Sequence, residues 1–372
     1  MKRIYADNAA TTAMDRDVLE AMLPYLEGSY GNPSSHYSFG REAKRAIEKA
    51  RKDILSHLGA EGKLYFTSGG TESNNWAISA AAELMAQQGK RHIITSEIEH
   101  HSVLNCCKNL EKKGFQVTYI RPNIAGIVEP EAIARAVTPG TGLVSIMYAN
   151  NEIGTVQPIH EISDICRDKG IILHSDAVQA VGHIEVDFKS VDLLSFSAHK
   201  CHGPTGIGGL YVRKGLSLAP LLHGGLQESG HRAGTENVAG IVGMAKAIEM
   251  YHGSNYIKTL RNKLTEALLE IEGAYLNGDR NSLLPGIANI GFRNVDSEAL
   301  MLMLDLQGIC VSAGAACTTG SQEPSHVLKA IGLTDKEANS SVRFSLGKYN
   351  TEEEIELICK AVGSIVKKIR QI

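Results

Sequence analysis

The stretch IILHSDAVQAVGHIEVDFKSVDLLSFSAHKCHGPTGIGGLYVRK, residues 171–214, decides the fold. Three apolar runs in it, at 171–177, 191–200 and 208–214, have the length and composition of buried strands. Strands that are apolar throughout are typical of a mainly parallel sheet that is covered on both faces.

The same pattern extends upstream of this stretch. Further strands are predicted at 64–70, 92–96, 117–120 and 143–150, and helices between them at 71–88, 101–114 and 158–170. This alternation predicts an α/β fold whose large domain holds a mainly parallel seven-stranded sheet. Ligand-binding and active sites of such sheets lie at the carboxyl ends of the strands. The polar residues at or just past those ends are Thr71, His100, Asn151, Asp176 and Lys200.

The pattern changes after about residue 257. A helix is predicted at 258–272, apolar runs at 287–292 and 342–347, and a C-terminal helix at 351–370. We therefore expect a large domain over 15–257 and a smaller α/β domain built from 1–14 and 258–372.

Composition narrows the class of protein. Of the 372 residues, 43% are hydrophobic and 21% charged, and the net charge is −3, which argues against disorder and against nucleic acid or a membrane as the main partner. No apolar stretch is long enough for a transmembrane helix, and the N-terminus lacks the core of a signal peptide. Seven scattered cysteines without a CxxC pair are typical of a reducing compartment, so we expect a cytoplasmic protein.

Asp176 and Lys200 form the strongest chemical pair. A carboxylate at one strand end and a lysine at another match the needs of pyridoxal phosphate, which forms a Schiff base with lysine and places its pyridine nitrogen against an acid. In isolation the two could equally form a surface ion pair. The segment SGGTESN, residues 68–74, opens a helix and suits a phosphate, with Ser197 and His199 as further donors.

Three other residues are candidates for catalysis or substrate binding. His100 in EIEHHS is placed to lie over a flat ring and to move protons, whereas the pairs His100/His101 and His199/His202 lack the partners of a metal site. Cys317 lies among small polar residues, which favours a reactive thiol over a buried one. Arg343 in VRFSLG could clamp a carboxylate or could equally be a structural ion-pair partner.

Motifs spread over nearly the whole chain resemble one family. They include YADNAATT, FTSGGTESNN, EIEHHSV, YANNEIGTVQPI, HSDAVQ, SFSAHKCHGPTGIGGLYVR, HRAGTEN and SAGAACTTGSQEPSHVL. Their order resembles that of the cysteine desulfurases, which are class V aminotransferase, fold-type I, pyridoxal-phosphate enzymes. The stretch GAACTTGSQEPSHVL resembles the group that serves iron–sulfur cluster assembly.

The resemblance implies a role for each matching residue. Lys200 would form the Schiff base, Asp176 would pair with the pyridine nitrogen, and His100 would stack on the ring. The remaining cofactor contacts would come from Gln179, Asn151, Gly70, Thr71, Ser197 and His199, with Thr235 reaching across from the second subunit of a homodimer. Arg343, Asn32 and Asn151 would bind the carboxylate of L-cysteine.

Cys317 would accept the sulfur as a persulfide, releasing L-alanine, and would pass it to an iron–sulfur scaffold or another acceptor protein. No resident metal is implied, although Cys317 could serve as a transient iron–sulfur ligand. Two positions depart from the family pattern: Ala13 replaces a proline, and His36 is displaced by one residue, which puts a role for His36 in doubt. The alternatives are a selenocysteine lyase, a class V aminotransferase or a non-catalytic assembly platform.

Overall fold

The computed structural model describes residues 3–251, 253, 255–313 and 324–371. The strands within these residues are β1 (Ile4–Tyr5), β2 (Gly62–Thr67), β3 (His92–Ser96), β4 (Gln116–Ile120), β5 (Thr141–Ser145), β6 (Ile172–Asp176), β7 (Leu193–Ser197), β8 (Gly208–Arg213), β9 (Ala274–Asn277), β10 (Ile287–Phe292), β11 (Ile309–Cys310) and β12 (Ser341–Ser345).

Helices cover or connect these strands. They are α1 (Arg16–Glu27), α2 (Ser38–His57), α3 (Gly70–Ala86), α4 (His101–Glu111), α5 (Pro130–Ala136), α6 (Ile159–Lys169), α7 (Val238–Glu249), α8 (Asn255–Leu269), α9 (Ser297–Asp305), α10 (His326–Ala330), α11 (Asp335–Ala338) and α12 (Glu352–Ile369). No helix among the described residues is long and apolar enough to cross a membrane.

A seven-stranded sheet has the order β2-β8-β7-β6-β5-β3-β4. Its strands are parallel except at β8, which is antiparallel to both β2 and β7. The mainly parallel seven-stranded sheet expected from the sequence is therefore confirmed. Several strands end earlier than expected: β5 ends at Ser145 and β7 at Ser197, where a short 3-10 turn, Ala198–Lys200, follows.

Two hydrophobic clusters lie on the two faces of this sheet. Neighbouring residues of one strand belong to different clusters, for example Ile93 and Ile94 of β3, or Leu143 and Val144 of β5. Because successive side chains of a strand point to opposite faces, both residues of each pair must be apolar. This two-sided burial explains the uninterrupted apolar runs in the sequence.

A third hydrophobic cluster lies around a smaller sheet. This antiparallel sheet has the order β12-β10-β9 and packs with α8, α9 and α12. The N-terminal strand β1 pairs in parallel with β11, so the first residues of the chain join the same cluster through Ile4. The division into 15–257 and 1–14 with 258–372 stays a prediction, and the separate clusters support it.

The backbones of β7, β8 and the residues before α3 lie unusually close together. A Cβ atom on Gly208 of β8 would lie 2.7 Å from the backbone of Gly69 and 2.8 Å from the carbonyl oxygen of Phe196. Neither backbone can move aside as a flexible side chain could. Gly208 thus permits β7, β8 and the start of α3 to approach one another.

We predict that Gly208→Ala lowers the stability of the protein by about 1–3 kcal/mol, the usual cost of overpacking. Gly363→Ala is the matched control, because nothing lies within 4 Å of the new Cβ in the middle of α12. Alanine is the better helix former, so this variant should be neutral or stabilised by up to about 1 kcal/mol. Thermal unfolding of both variants checks the prediction, and equal melting temperatures would contradict it.

Candidate active site

A cavity of about 290 Å³ lies at the carboxyl ends of β5, β6 and β7. The N-termini of α3 and α4 and the segment around Ala9 and Ala10 complete its wall. Sequence-predicted site residues that line it are Gly70, Thr71, His100, Asn151, Asp176, Gln179, Ser197, His199, Lys200 and Arg343. Positions spread over 274 residues of sequence, from 70 to 343, are therefore brought together.

Lys200 stands at the end of the 3-10 turn that follows β7. Its Nζ donates hydrogen bonds to the carbonyl oxygens of Ala9, at 2.7 Å, and Ala10, at 2.8 Å. Its own carbonyl accepts a hydrogen bond from Nε2 of His183 at 2.7 Å. Burial lowers the pKa of His183 to about 4, so this ring is a neutral donor that fixes the backbone of Lys200.

Asp176 is the last residue of β6 and is 6% exposed. Its Oδ2 accepts from Nδ2 of Asn74 at 2.6 Å, and its Oδ1 accepts from the backbone N–H of Val178 at 3.0 Å. Both oxygens of this buried carboxylate therefore have a hydrogen-bond donor. Gln179 nearby donates through Nε2 to the carbonyl oxygen of Ala9 at 2.9 Å.

Donors for an anion gather where α3 begins. The unpaired N–H groups and the positive end of this 17-residue helix favour negative charge. Gly70 allows the close packing here, since a Cβ would lie 2.5 Å from a methyl carbon of Val178. Thr71 and Ser197 add hydroxyl groups to this wall.

His199 borders the same wall and shares a 3.1 Å hydrogen bond with Oγ1 of Thr11 through its Nδ1. Burial, together with the nearby Lys200 charge, lowers the pKa of His199 to about 4. The ring is therefore neutral at physiological pH and can donate one hydrogen bond.

His100 caps the N-terminus of α4, where its Nδ1 accepts from the backbone N–H of Ser102 at 3.1 Å. Oγ of Ser102 lies 2.7 Å from the same nitrogen. Burial lowers the pKa of His100, and the charge of Asp176 opposes that shift. The cap also explains why α4 begins at His101.

Arg343 lies on β12 and is 1% exposed. Its Nη1 donates to the carbonyl oxygen of Asn151 at 2.8 Å, and its Nη2 donates to Oδ1 of Asp7 at 2.7 Å. Its buried Nε has no hydrogen-bond partner among the described residues. A guanidinium with remaining donor capacity on a cavity wall can bind a carboxylate.

Three predicted site residues are not in this cavity. Asn32 and Thr235 line a second cavity, of about 280 Å³, so the pairing of Asn32 with Arg343 does not form within one chain. Oδ1 of Asn32 accepts from the backbone N–H of Ser34 at 2.9 Å. Cys317 lies outside the described residues.

Sequence reasoning missed several residues of the site. Asn74 and Ser102 line the cavity between Asp176 and His100, and Asp7 holds Arg343 from behind. A signal existed for all three, because Asn74 lies within SGGTESNN, Ser102 within EIEHHSV and Asp7 within YADNAATT. The partners of Asn74 and Asp7, however, are 102 and 336 residues away in sequence.

The donor set fits pyridoxal phosphate. An amine, a buried carboxylate and an anion-binding helix end line one cavity, as that cofactor requires for its aldehyde, its ring nitrogen and its phosphate. The carbonyl groups of Ala9 and Ala10 hold the amine at the cavity wall. The residues present therefore match the group.

Comparisons with known proteins agree with this geometry. The family model of aminotransferase class V matches residues 4–358. A cysteine desulfurase IscS from Methanosarcina thermophila is 48% identical over 379 residues, covering all of this chain and 94% of the relative. A cysteine desulfurase from a Nostoc species is 49% identical over 381 residues, covering all of this chain and 95% of the relative.

Solved structures match as well. A NifS-like protein has a TM-score of 0.92 at 40% identity, covering 99% of this chain and all of that one. SspA in complex with cysteine has a TM-score of 0.84 at 37% identity, covering 94% of this chain and all of that one. The chain therefore belongs to the class V aminotransferases, a family of pyridoxal-phosphate enzymes, and within it to the cysteine desulfurases.

Proposed function

We propose that the protein converts L-cysteine to L-alanine and transfers the sulfur to Cys317 as a persulfide. The observation that carries the proposal is that Lys200, Asp176 and Arg343 line one cavity. They supply an amine, a carboxylate and a guanidinium, which suit a cofactor aldehyde, a cofactor ring nitrogen and a substrate carboxylate. The relatives named cysteine desulfurase support the same activity.

Pyridoxal phosphate would be held by residues of this cavity. Lys200 would bind it covalently, Asp176 would face its ring nitrogen, and His100 would lie against its ring. Thr71, Ser197, His199 and the N-terminus of α3 would hold its phosphate, and Gln179 and Asn151 would contact its oxygen. When bound, the cofactor supplies an electrophilic carbon for amines and a conjugated ring that withdraws electrons from the neighbouring carbon.

The chain's own residues would orient the substrate and move its protons. Arg343 is fixed by Asp7 and by the carbonyl of Asn151, so its position is set before a carboxylate arrives. Preorganisation of this kind lowers the cost of binding. Lys200 would take the proton from Cα of L-cysteine, and His100 would handle protons at the substrate thiol.

Cys317 would perform the sulfur transfer. Its thiolate would attack the sulfur of the substrate, forming the S–S bond of the persulfide while the carbon–sulfur bond of L-cysteine breaks. The carbons that were Cβ and Cα of L-cysteine then each take up a proton, and L-alanine leaves. L-cysteine and one thiol thus give L-alanine and one persulfide, without an external oxidant or reductant.

A homodimer would complete the site. Asn32 and Thr235 share a cavity and are joined through neighbours: Nε2 of Gln227 lies 3.4 Å from Oγ of Ser34, and Oε1 of Gln227 accepts from the N–H of Gly234 at 3.2 Å. Exposed apolar side chains belong to α1 and to the two segments that hold Asn32 and Thr235, which are residues 28–37 and 214–237. We call this set the apolar patch: Leu26, Tyr30, Leu222 and Leu226, which are 58%, 75%, 44% and 88% exposed.

Large apolar side chains that are this exposed are typical of an interaction surface when they lie together. We propose that a second copy of the chain covers it and brings Thr235, and with it Asn32, to the first copy's cavity. We further propose that the acceptor of the sulfur is an iron–sulfur scaffold or a similar protein, and that the enzyme acts in the cytoplasm. The motif GAACTTGSQEPSHVL and the IscS relatives support the first statement, and the scattered free cysteines support the second.

The first prediction from the proposed function concerns Lys200. Lys200→Ala should keep the fold, lose the visible absorbance of a lysine-bound cofactor and release no alanine from L-cysteine. The matched control, Lys214→Ala, removes an exposed lysine after β8 and should leave both properties unchanged. Absorbance spectra and alanine assays measure the outcome; a Lys200→Ala protein with wild-type turnover would refute the proposal.

The second prediction concerns Cys317. Cys317→Ser should still bind cofactor and L-cysteine but release almost no alanine, because a hydroxyl is a far poorer nucleophile toward sulfur than a thiolate. Mass spectrometry after a pulse of L-cysteine should find the added sulfur on the peptide of Cys317. Cys359→Ser, on α12, is the control and should retain activity. Sulfur found on Cys310 alone would show that the acceptor was assigned wrongly.

The third prediction concerns the apolar patch. Leu226→Glu should weaken the dimer and, with it, the retention of cofactor, because Thr235 would no longer reach the active-site cavity of the other copy. Leu306→Glu is the control: Leu306 is 73% exposed but follows α9, in another part of the fold. Sedimentation and cofactor content report the result. A monomeric Leu226→Glu protein that retains its full cofactor content contradicts the trans arrangement.

A further inference from the structure

Asp176 and His100 are linked by hydrogen bonds through two side chains, Asn74 and Ser102. Nδ2 of Asn74 donates to Oδ2 of Asp176 at 2.6 Å and to Oγ of Ser102 at 2.9 Å. Oγ of Ser102 lies 2.7 Å from Nδ1 of His100. Asn74, Ser102 and Asp176 are all buried, and all four residues line the cavity.

The orientation of the Asn74 amide follows from Asp176. An ionised carboxylate only accepts hydrogen bonds, so the amide nitrogen of Asn74, rather than its oxygen, must face Oδ2. Oδ1 of Asn74 is buried and has no partner among the described residues. A buried acceptor without a partner is costly, so the two bonds made by Nδ2 are what keep this orientation.

The direction of the next bond follows from Asn74. Because Oγ of Ser102 accepts from Nδ2 of Asn74, its own proton is available for His100. The backbone N–H of Ser102 donates to Nδ1 of His100 as well, at 3.1 Å. Both donors require an unprotonated Nδ1, which places the proton of a neutral ring on Nε2.

We propose that Asn74 and Ser102 are positioning residues, which hold His100 in the neutral tautomer that carries its proton on Nε2. The carboxylate of Asp176 is the fixed end of this series of hydrogen bonds. The inference deepens the proposed function and rests on it, since it is there that Asp176 and His100 meet the cofactor and the substrate. Asn74 acts on His100 only through Ser102.

Other groups also act on His100. Burial lowers its pKa, the charges of Asp176 and Glu152 raise it, and those of Lys200 and His326 lower it; the ring of His101 lies 6.4 Å away, centroid to centroid. Substitution of Ser102 leaves all these groups in place. A change in the titration of His100 would therefore come from the lost hydroxyl.

The test is a pH titration of His100 in holoenzyme labelled with ¹⁵N-histidine and followed by NMR. The variant His100→Gln identifies the signals. Wild-type protein should show the proton on Nε2. In Ser102→Ala, the midpoint should move to higher pH by about half a pH unit or more, the size of one ordinary hydrogen bond, because protonation of Nδ1 no longer displaces a hydroxyl donor.

Asn74→Leu should move the midpoint in the same direction, because the released hydroxyl of Ser102 can then turn and accept a proton from the ring. The double variant should move it no further than Ser102→Ala alone. Ser79→Ala is the control. Ser79 lies on α3, and its Oγ contacts Sγ of Cys106 on α4 and not His100. Its titration should match the wild type.

Three results would overturn the inference: a proton on Nδ1 in the wild type, an unchanged midpoint in Ser102→Ala, or additive shifts in the double variant. Should Asn74→Leu fail to fold, Ser102→Ala alone decides. The titration needs no turnover, so it separates the two proposals. If wild-type protein releases no alanine while His100 titrates as expected, the proposed function fails and the network stands.

Discussion

The amine of Lys200 is held by two main-chain carbonyls from the beginning of the chain. Ala9 and Ala10 lie 191 and 190 residues before it in sequence. Their segment is in turn held by β12, since the N–H of Asn8 donates to the carbonyl of Ser345 and the N–H of Ala9 to its hydroxyl. The sheet end, the N-terminal segment and the smaller sheet must therefore all be in place before the amine is positioned.

The same arrangement accounts for the buried charges around the cavity. A buried charge is costly unless it is paired or hydrogen-bonded. Asp176 receives two donors, and Arg343 is paired with Asp7 from the N-terminal segment. Each charged group is thus supported on one side by the fold, while the cavity side is left to a cofactor or a substrate. Rigid support of this kind is what positions groups for catalysis.

The amino-acid sequence alone was sufficient to predict the sheet and to name the polar residues at its strand ends. Apolar runs predict strands because both faces of the sheet are buried, and Asp176 and Lys200 lie at the ends of two of those runs. The residues themselves also drew attention to Asn151, just past a strand end, and to Arg343, and the resemblance added their expected roles; both line the same cavity. The sheet could be predicted because it depends on local pattern, and the strand-end residues share a cavity because parallel strands end at one edge.

The rest depends on contacts between distant parts of the chain. Nothing in the local pattern of α3 shows that Asn74 reaches Asp176, or that the carbonyls of Ala9 and Ala10 face Lys200. Asn32 was expected beside Arg343 but lies in another cavity within the single chain. Such contacts follow from the packing of whole elements, which the order of residues does not reveal.

The most direct measurement is the time course of alanine release after L-cysteine is added in excess, with no other thiol present. If Cys317 is consumed as a persulfide, about one alanine per subunit should form in a first rapid phase, because one thiol accepts one sulfur. The slower phase that follows should be limited by removal of that sulfur by L-cysteine, which is itself a thiol, and addition of a reductant should speed it. Alanine release with no rapid phase and no response to reductant, or none at all in the presence of bound cofactor, would contradict the account.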